Sequence, residues 1–481
     1  MTATLDPQFL GALAAVPTSA WMAWFHDVAP VSVSAAAVPP TLVAHFALPA
    51  VDGAAAICLL ETASGGTTVE LHQVAVRQWT GAAPEGVRVL HQQVAADGTL
   101  LWTLGAAWAD PALRDWLREA LTAGVSLRSD GWEWVAAPER ASASRAAGGA
   151  TRQIEGRRHD VILFEPGAVA IVYRRMTRAG KPELDLLRHL ERVPGVRVAP
   201  TILGSAIVRS PDGVRSASAV LEDIVPGVAA ARTVIVWRLH RALDGDPSLQ
   251  AVALDDVRAV GVITRELHAA LGRPFEQGVL AGAVPATAAD VDAWVARSWA
   301  ALDTAGAALR ASPNPAATLT AALDALPAKL QQFAAAAESA PGLTHRIHGN
   351  LGLDTVLMAP PRMLSIVEFD GDALLPDSER IAPQSPWRDV ARLLVSLAEV
   401  AAEAAGLAGG DDKAFEIAWL WEREARKAYL EGYGTGGGAL HALLAIFEME
   451  FAARHLLDAL AGAQTTVVAA HTLERLTRTI V

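Results

Sequence analysis

From about residue 228 to the end, apolar side chains recur almost wholly at helical spacing, as in Val257, Val260, Thr264, Leu267 and Leu271, or Val291, Trp294, Val295, Trp299 and Leu302. A 3.6-residue apolar period kept over more than half the chain commits that half to packed amphipathic helices. One island breaks the period. Residues 345 to 372 read HRIHGNLGLDTVL, then MAPPR, then MLSIVEFDGD, which is the order of strand end, loop, strand and acidic turn.

The first part of the chain follows the other period. Runs such as TLVAHFAL, AAAICLLE, TTVELHQVAV and TLLWTLG are separated by DG, SGG and ADG turns, so a curled antiparallel sheet is expected there. DPALRDWLREALTAG has an Asp start, apolar Leu113, Trp116, Leu117 and Leu121, and a Gly stop; it predicts one helix packed on that sheet. The small, polar APERASASRAAGGA has the composition of a linker. Strands resume in DVILFEPG and AVAIVYRR, a helical ELDLLRHLERV follows, and APTILGSAIV and SASAVLEDIVPG complete a small α+β lobe. The expected organisation is a β-rich cap over 1–137, a linker over 138–150, a small lobe over 151–226 and a helical lobe over 227–481, an α+β protein. A chain of 481 residues has room for about three such units. GTGGG at 434 to 438 reads as a helix-to-helix loop, because it lacks the strand before and the Lys after that a phosphate loop needs.

Composition excludes several partners. The net charge of -12 repels nucleic acid and anionic membranes, and the short basic cluster Arg152, Arg157 and Arg158 reads as a solvated loop. Neither partner is expected. No apolar stretch approaches the ~18 residues of a membrane span, and MTATLDPQFL lacks a basic start followed by an apolar run. The single cysteine, Cys58, lies in AAAICLL as core filler and fits a reducing, cytoplasmic setting.

Strand end, loop, strand and acidic turn is how kinase-like enzymes present catalytic and metal-binding side chains. The island resembles that of the maltokinases and related actinobacterial glucosamine kinases, in the aminoglycoside-phosphotransferase-like branch of the protein-kinase-like fold. AVAIVYRRMTRAGKPELDLLRHL is similar to their lysine strand and following helix, AVLEDIVPG to their hinge, SPWRDVARLL to an S-P-L-R-D-V-A segment and FEMEFAARHLL to the last long helix. The likeness implies a two-lobed kinase fold, with a small N-lobe and a large helical C-lobe, preceded by a cap.

Carried over residue by residue, the resemblance implies an altered site. The family base Asp falls at Asn350, which can orient a hydroxyl but cannot accept its proton. The magnesium ligands fall at Thr355 and at Glu368, with Asp370 beside the latter. The phosphate-binding lysine falls at Ile171, its acidic partner at Asp185, and the hinge brings Glu222 to the nucleotide. Arg388 and Asp389 read as a helix-start ion pair, with a sugar contact implied by the family alone. His348 reads as a histidine that braces the loop, and Trp294, Trp299, Trp419 and Trp421 as mostly core.

Loss of a general base costs about 10²–10⁴-fold, and the other substitutions remove phosphate-binding and metal-binding charge. The expectation is therefore a pseudokinase acting through a sugar ligand or a protein partner in maltose, trehalose, α-glucan or aminosugar metabolism, with no cofactor. The rival is an active sugar or aminosugar kinase using ATP and magnesium. In it Glu368 and Asp370 hold the metal, Asp354 or Asp372 replaces the base, and Arg174 or Arg175 swings inward to replace the lysine. A sugar sensor without nucleotide would keep Asn350, Arg388 and Asp389.

Overall fold

The computed structural model describes residues 5–28, 40–48, 54–64, 68–140, 151–155, 159–165, 167–176, 182–223, 229–274, 280–360, 362–372, 375–435, 438–462 and 465–479. Two compact units emerge. The first comprises Met1–Arg188, Pro200–Pro226 and Leu374–Ile381; the second comprises His189–Ala199, Gly227–Ala373 and Ala382–Val481.

The first unit holds two antiparallel sheets. One runs in the spatial order Thr41–Ala47, Ala55–Ser64, Thr68–Thr80, Leu100–Ala106 and Arg88–Val94, with Arg175–Met176 also pairing to Thr68–Thr80. Its alternating apolar side chains meet the helix Pro7–Ala14, which Asp6 caps by accepting the Gln8 amide at 2.8 Å. Phe9, Leu13, Trp21 and Trp24 bury against Cys58, Leu60, Val74 and Leu104, so Cys58 is core filler as the sequence implies.

The second sheet has seven strands in the order Val125–Ser129, Trp132–Pro138, Ile202–Arg209, Arg215–Asp223, Ala168–Tyr173, His159–Phe164 and Thr151–Glu155. It crosses the expected domain boundary. The 125–138 hairpin, assigned above to a cap ending at 137, pairs along the Ile202–Arg209 strand of the small lobe. Leu127, Trp132, Trp134 and Ala136 are buried, and a hairpin with one apolar face needs a larger sheet to cover it. Pro138, expected to open the linker, closes the strand, and Glu139 accepts a hydrogen bond from Ser205 at 2.7 Å. Residues 141–150, Arg157, Arg158 and the hinge at Pro226 lie outside the described residues. The helix Pro111–Ala123 does form, capped by Asp110. It packs on the seven-stranded sheet and not on the first: the Trp116 and Trp134 rings lie 5.4 Å apart, and a Cβ on Gly204 would strike the Leu121 carbonyl.

The second unit is helical, with Ala231–Leu243, Ser248–Leu271, Ala288–Ala311, Ala317–Ser339, Trp387–Leu407, Asp412–Tyr433, Gly438–Leu460 and Val467–Arg478. Local signals set its boundaries. Thr287 and Asp290 form a reciprocal capping box at the start of Ala288–Ala311, and Gly434 ends Asp412–Tyr433 in the left-handed conformation. Trp294 and Trp421 are core, whereas Trp299 is 44% exposed. The expected island is a hairpin of Val356–Ala359 and Met363–Ile366, with Ala229–Ala230 added at its edge. Among the described residues, no helix is long and apolar enough to cross a membrane.

Candidate functional site

The loop before the hairpin has no regular secondary structure, so its backbone needs other partners. Leu351 and Leu353 anchor it in the core. Asp389, in the first turn of Trp387–Leu407, accepts the His348 amide at 2.9 Å on Oδ2 and the Gly349 amide at 2.8 Å on Oδ1. His268 Nε2 lies 3.2 Å from the same carboxylate, and its Nδ1 lies 2.9 Å from the Tyr433 hydroxyl. Burial opposes a charge at Asp389, yet the His268 hydrogen bond and the loop amides outweigh it and hold the carboxyl below its ordinary value.

His348 completes the brace. It is fully buried, its Nε2 lies 2.9 Å from the Val367 carbonyl, its Nδ1 accepts the Asn350 amide at 3.3 Å, and its ring meets Phe369 with centroids 4.9 Å apart. Gly349 has φ +83°, and a Cβ there would come within 3.2 Å of the Gly371 Cα, so no other residue fits without shifting the loop. Together these contacts present Asn350, partly exposed, with a side-chain amide that no described residue engages.

Glu368 follows the second strand with φ +66°, a left-handed conformation that costs a non-glycine residue about 1 kcal/mol or more. Its carboxylate is partly exposed. Asp370 is partly buried and already engaged with neighbouring groups. A magnesium ion takes one or two carboxylates from protein with phosphates and water supplying the rest, and among the described residues no group of three or more His, Cys, Asp or Glu is placed to hold a metal ion. Thr355 does not join Glu368 and Asp370. Its hydroxyl is buried, donates to the Gly352 carbonyl at 3.0 Å and accepts the Gly352 amide at 3.1 Å, which corrects the expectation of a metal ligand.

Arg388 and Asp389 correct a second expectation. They do not pair with each other. Arg388 is fully buried and donates to both Glu450 oxygens and, at 3.1 Å, to Asp372, while its guanidinium lies 4.8 Å from the Phe451 ring centroid. Arg454 binds the same two acids and Arg297 stands 3.4 Å from Glu450. Burial works against the Arg388 charge, and the Glu450 and Asp372 carboxylates outweigh it. With Arg388 and Asp389 sealed in this way, neither side chain is left to contact a sugar. Asp372 is likewise locked between two arginines, which removes it as a substitute base.

In the first unit, Ile171 sits in Ala168–Tyr173 between Val220 and Val161, 7% exposed. Neither neighbouring arginine is idle. Arg174 is buried and grips Asp160 through two hydrogen bonds of 2.9 and 2.7 Å, and Arg175 pairs with Glu70 at 3.0 Å. Asp185 is partly exposed on the helix Pro182–Arg192, whereas Glu183 on the same helix is buried.

Glu222 is buried within its strand, and burial pushes its carboxyl up to about 8. The folded state then keeps a proton that the unfolded chain loses above its ordinary value of 4.5, so the contribution of Glu222 to stability is full below that value and is lost as pH rises toward 8. Glu222→Gln is expected to remove this decline. Urea midpoints at pH 5 and pH 8 test it, and an undiminished slope in the variant would exclude Glu222 as the source.

The sequence reading missed the Arg388–Glu450–Asp372–Arg454 cluster and the Tyr433–His268–Asp389 chain. A signal existed for the first, since Glu450 and Arg454 stand four apart within the apolar FEMEFAARHLL.

No family model matches the chain. A glucosamine kinase from Streptacidiphilus jiangxiensis is 31% identical over 184 residues, a match spanning 37% of this chain and only 37% of that relative's length. A solved glucosamine kinase in complex with glucosamine, ADP and inorganic phosphate superposes with a TM-score of 0.63 at 21% identity, covering 99% of this chain and 98% of the other. A second glucosamine kinase crystal form gives a TM-score of 0.66 at 21% identity over 95% of this chain and 100% of the other. From its sheets to its last helix, the chain has the fold of the solved glucosamine kinases.

Proposed function

We propose that the chain is an ATP-dependent sugar kinase of the glucosamine kinase type, working slowly with a substituted site. The observation that carries this reading is the Asn350 loop. Asp389, His268 and His348 still brace it through four hydrogen bonds, and the strained Glu368 still follows it. Strain and buried polar bracing persist where a geometry is used. This bracing, with the likeness to glucosamine kinases, supports the kinase alternative over a partner without activity.

The substitution at Asn350 is compatible with turnover. Phosphoryl transfer passes through a loose transition state, so positioning and electrostatics matter more than early proton removal. The Asn350 amide oxygen accepts the acceptor hydroxyl's hydrogen bond and aims its oxygen. That oxygen bonds to the γ-phosphorus as the bond to the ADP oxygen breaks, and the hydroxyl proton leaves late to the transferred phosphoryl group or to water. Magnesium held by Glu368 and Asp370 would neutralise charge on the phosphates. Among acceptors the reading favours an aminosugar over maltose, because both the sequence match and the fold match are to glucosamine kinases.

With purified protein, magnesium and ATP, we expect glucosamine phosphate to form at a rate below the ordinary enzymatic range of about 1–10³ s⁻¹. The measurement is ³¹P NMR of the product, with Asn350→Ala reducing it further. No product above a boiled control would exclude the kinase.

One observation favours a second reading, a sugar-binding protein without transfer that acts on a protein partner in glucan or aminosugar metabolism. Ile171 is buried among valines while Arg174 and Arg175 are held in ion pairs, so this strand offers the nucleotide phosphates no free cation. Mg-ATP distinguishes the two: at 100 times its dissociation constant a ligand stabilises the native state by about 2.7 kcal/mol, a visible rise in melting temperature that the second reading lacks.

A further inference from the structure

A cavity of about 510 Å³ opens within the helical unit, and Arg232, Asp354, Arg392, Glu399, Glu403 and His455 line it. Its volume lies in the range of small-molecule sites, about 300–1,000 Å³. The proposed transfer uses none of these side chains, since Asn350 orients the hydroxyl and Asp354, a substitute base in the sequence reading, here stands 3.8 Å from Arg232.

Its charges do not balance. Arg232 donates to Glu399 at 2.9 Å and Glu403 at 2.7 Å and stands 3.8 Å from Asp354, while Arg392 donates to Glu399 at 3.1 Å. With His455 counted as neutral, two guanidinium groups serve three carboxylates, and one negative charge is left over. Glu399, the most buried of the three acids, is satisfied by both arginines, so the excess falls on Asp354 and Glu403, whose side chains are 60% and 43% exposed at the rim. The Asp354 carboxyl is raised, first by partial burial and then by the repulsion of Glu399 and Glu403, against Arg232 and Arg392.

His455 supplies an independent sign. It is only 8% exposed, its Nδ1 lies 3.5 Å from Glu399, and its Nε2 has no hydrogen-bond partner among the described residues. In the neutral tautomer protonated at Nδ1, Nε2 would be a buried acceptor without a donor. Phe415, Val467 and Val468 form an apolar wall. The start of Val467–Arg478 has no side-chain cap, but the partial charge of a helix terminus, about +0.5, is smaller than the excess carboxylate and does not make the cavity an anion site.

We propose that this cavity is a second binding site, for a small organic ammonium that also carries hydroxyl groups. Asp354 and Glu403 take the ammonium, His455 Nε2 and Arg392 take hydroxyls, and the carbon skeleton lies on Phe415 and the valines. The site stands apart from the reading of the Asn350 loop.

The test is calorimetric titration of the full chain, without nucleotide, using glucosamine as the probe and glucose as the same ring without the charge. Glucosamine is expected to bind at least tenfold more tightly than glucose, to remain bound in Asn350→Ala, and to lose at least tenfold in affinity in the Asp354→Asn/Glu403→Gln double variant. Both substituted side chains are partly exposed at the rim, and an unchanged melting curve verifies the fold of the variant. Binding that Asn350→Ala abolishes and the double variant retains would overturn this site while leaving the kinase reading intact. Equal affinity for glucose, or no glucosamine bound, would also overturn it.

Discussion

Arg388→Met is expected to lower folding stability by about 3–5 kcal/mol at pH 7, the loss that follows when one partner of a buried ion pair is removed. Arg388 is fully buried and bridges Glu450, also fully buried, to Asp372, so methionine strands two carboxylates without their main counter-charge. Arg454 and Arg297 retain part of the compensation, which keeps the loss within that range. The pH dependence has a definite sign. Burial raises the Glu450 carboxyl, but Arg388, Arg454 and Arg297 together hold it below its ordinary value. The wild-type pair thus contributes stability above the unfolded carboxylate's pKa of about 4.3 and loses it as pH falls below that. In Arg388→Met the carboxyl rises, so the deficit narrows as the solution is acidified from pH 7 to pH 5. Arg388→Met/Glu450→Gln is expected to recover part of the loss because no unpaired charge remains at position 450. Urea denaturation of the three proteins at both pH values measures this. A loss under 1 kcal/mol would show that the cluster is solvated.

Local chemistry was legible in the sequence, and long-range pairing was not. Helices beyond residue 228 follow from the apolar period, which acts within one or two turns, and the Asp110 start before Pro111 is read directly. Residues 125–137 fall in the stretch expected to be β-rich, but the sheet they join depends on the strand Ile202–Arg209, more than 60 residues away. Thr355 illustrates a different limit: its position in the motif implies a ligand, whereas the tight loop at Gly352 turns its hydroxyl back on the chain. Arg388 and Asp389 adjoin in sequence, and the helix directs one to Glu450 and the other to the loop. Asn350, Ile171 and Glu368 stand where the resemblance to the kinase family puts that family's functional positions, and the structure adds what surrounds them.

Asn350→Asp is expected to raise the rate of phosphoryl transfer by about 10²-fold or more, within the 10²–10⁴ that a positioned general base supplies. The substitution changes one group and leaves the frame alone, because the loop is held through backbone amides to Asp389 and through His348, none of which involves the Asn350 side chain. The gain should appear in kcat with little change in KM for the sugar, since either side chain can accept the acceptor's hydrogen bond and only the carboxylate can take its proton. A second signature separates a new base from a general improvement in packing. The variant should lose activity as pH falls through its carboxylate pKa, near 4 if unperturbed, while the wild type, with no such base, lacks that limb. If the missing lysine is the greater loss, Asn350→Asp alone changes the rate by less than threefold. Ile171→Lys with Glu368→Asp must then precede it, because a base cannot act on an acceptor whose phosphate donor is not held. A rise without an acidic limb would mean that the introduced carboxylate acts only by orientation, and the base argument would fail.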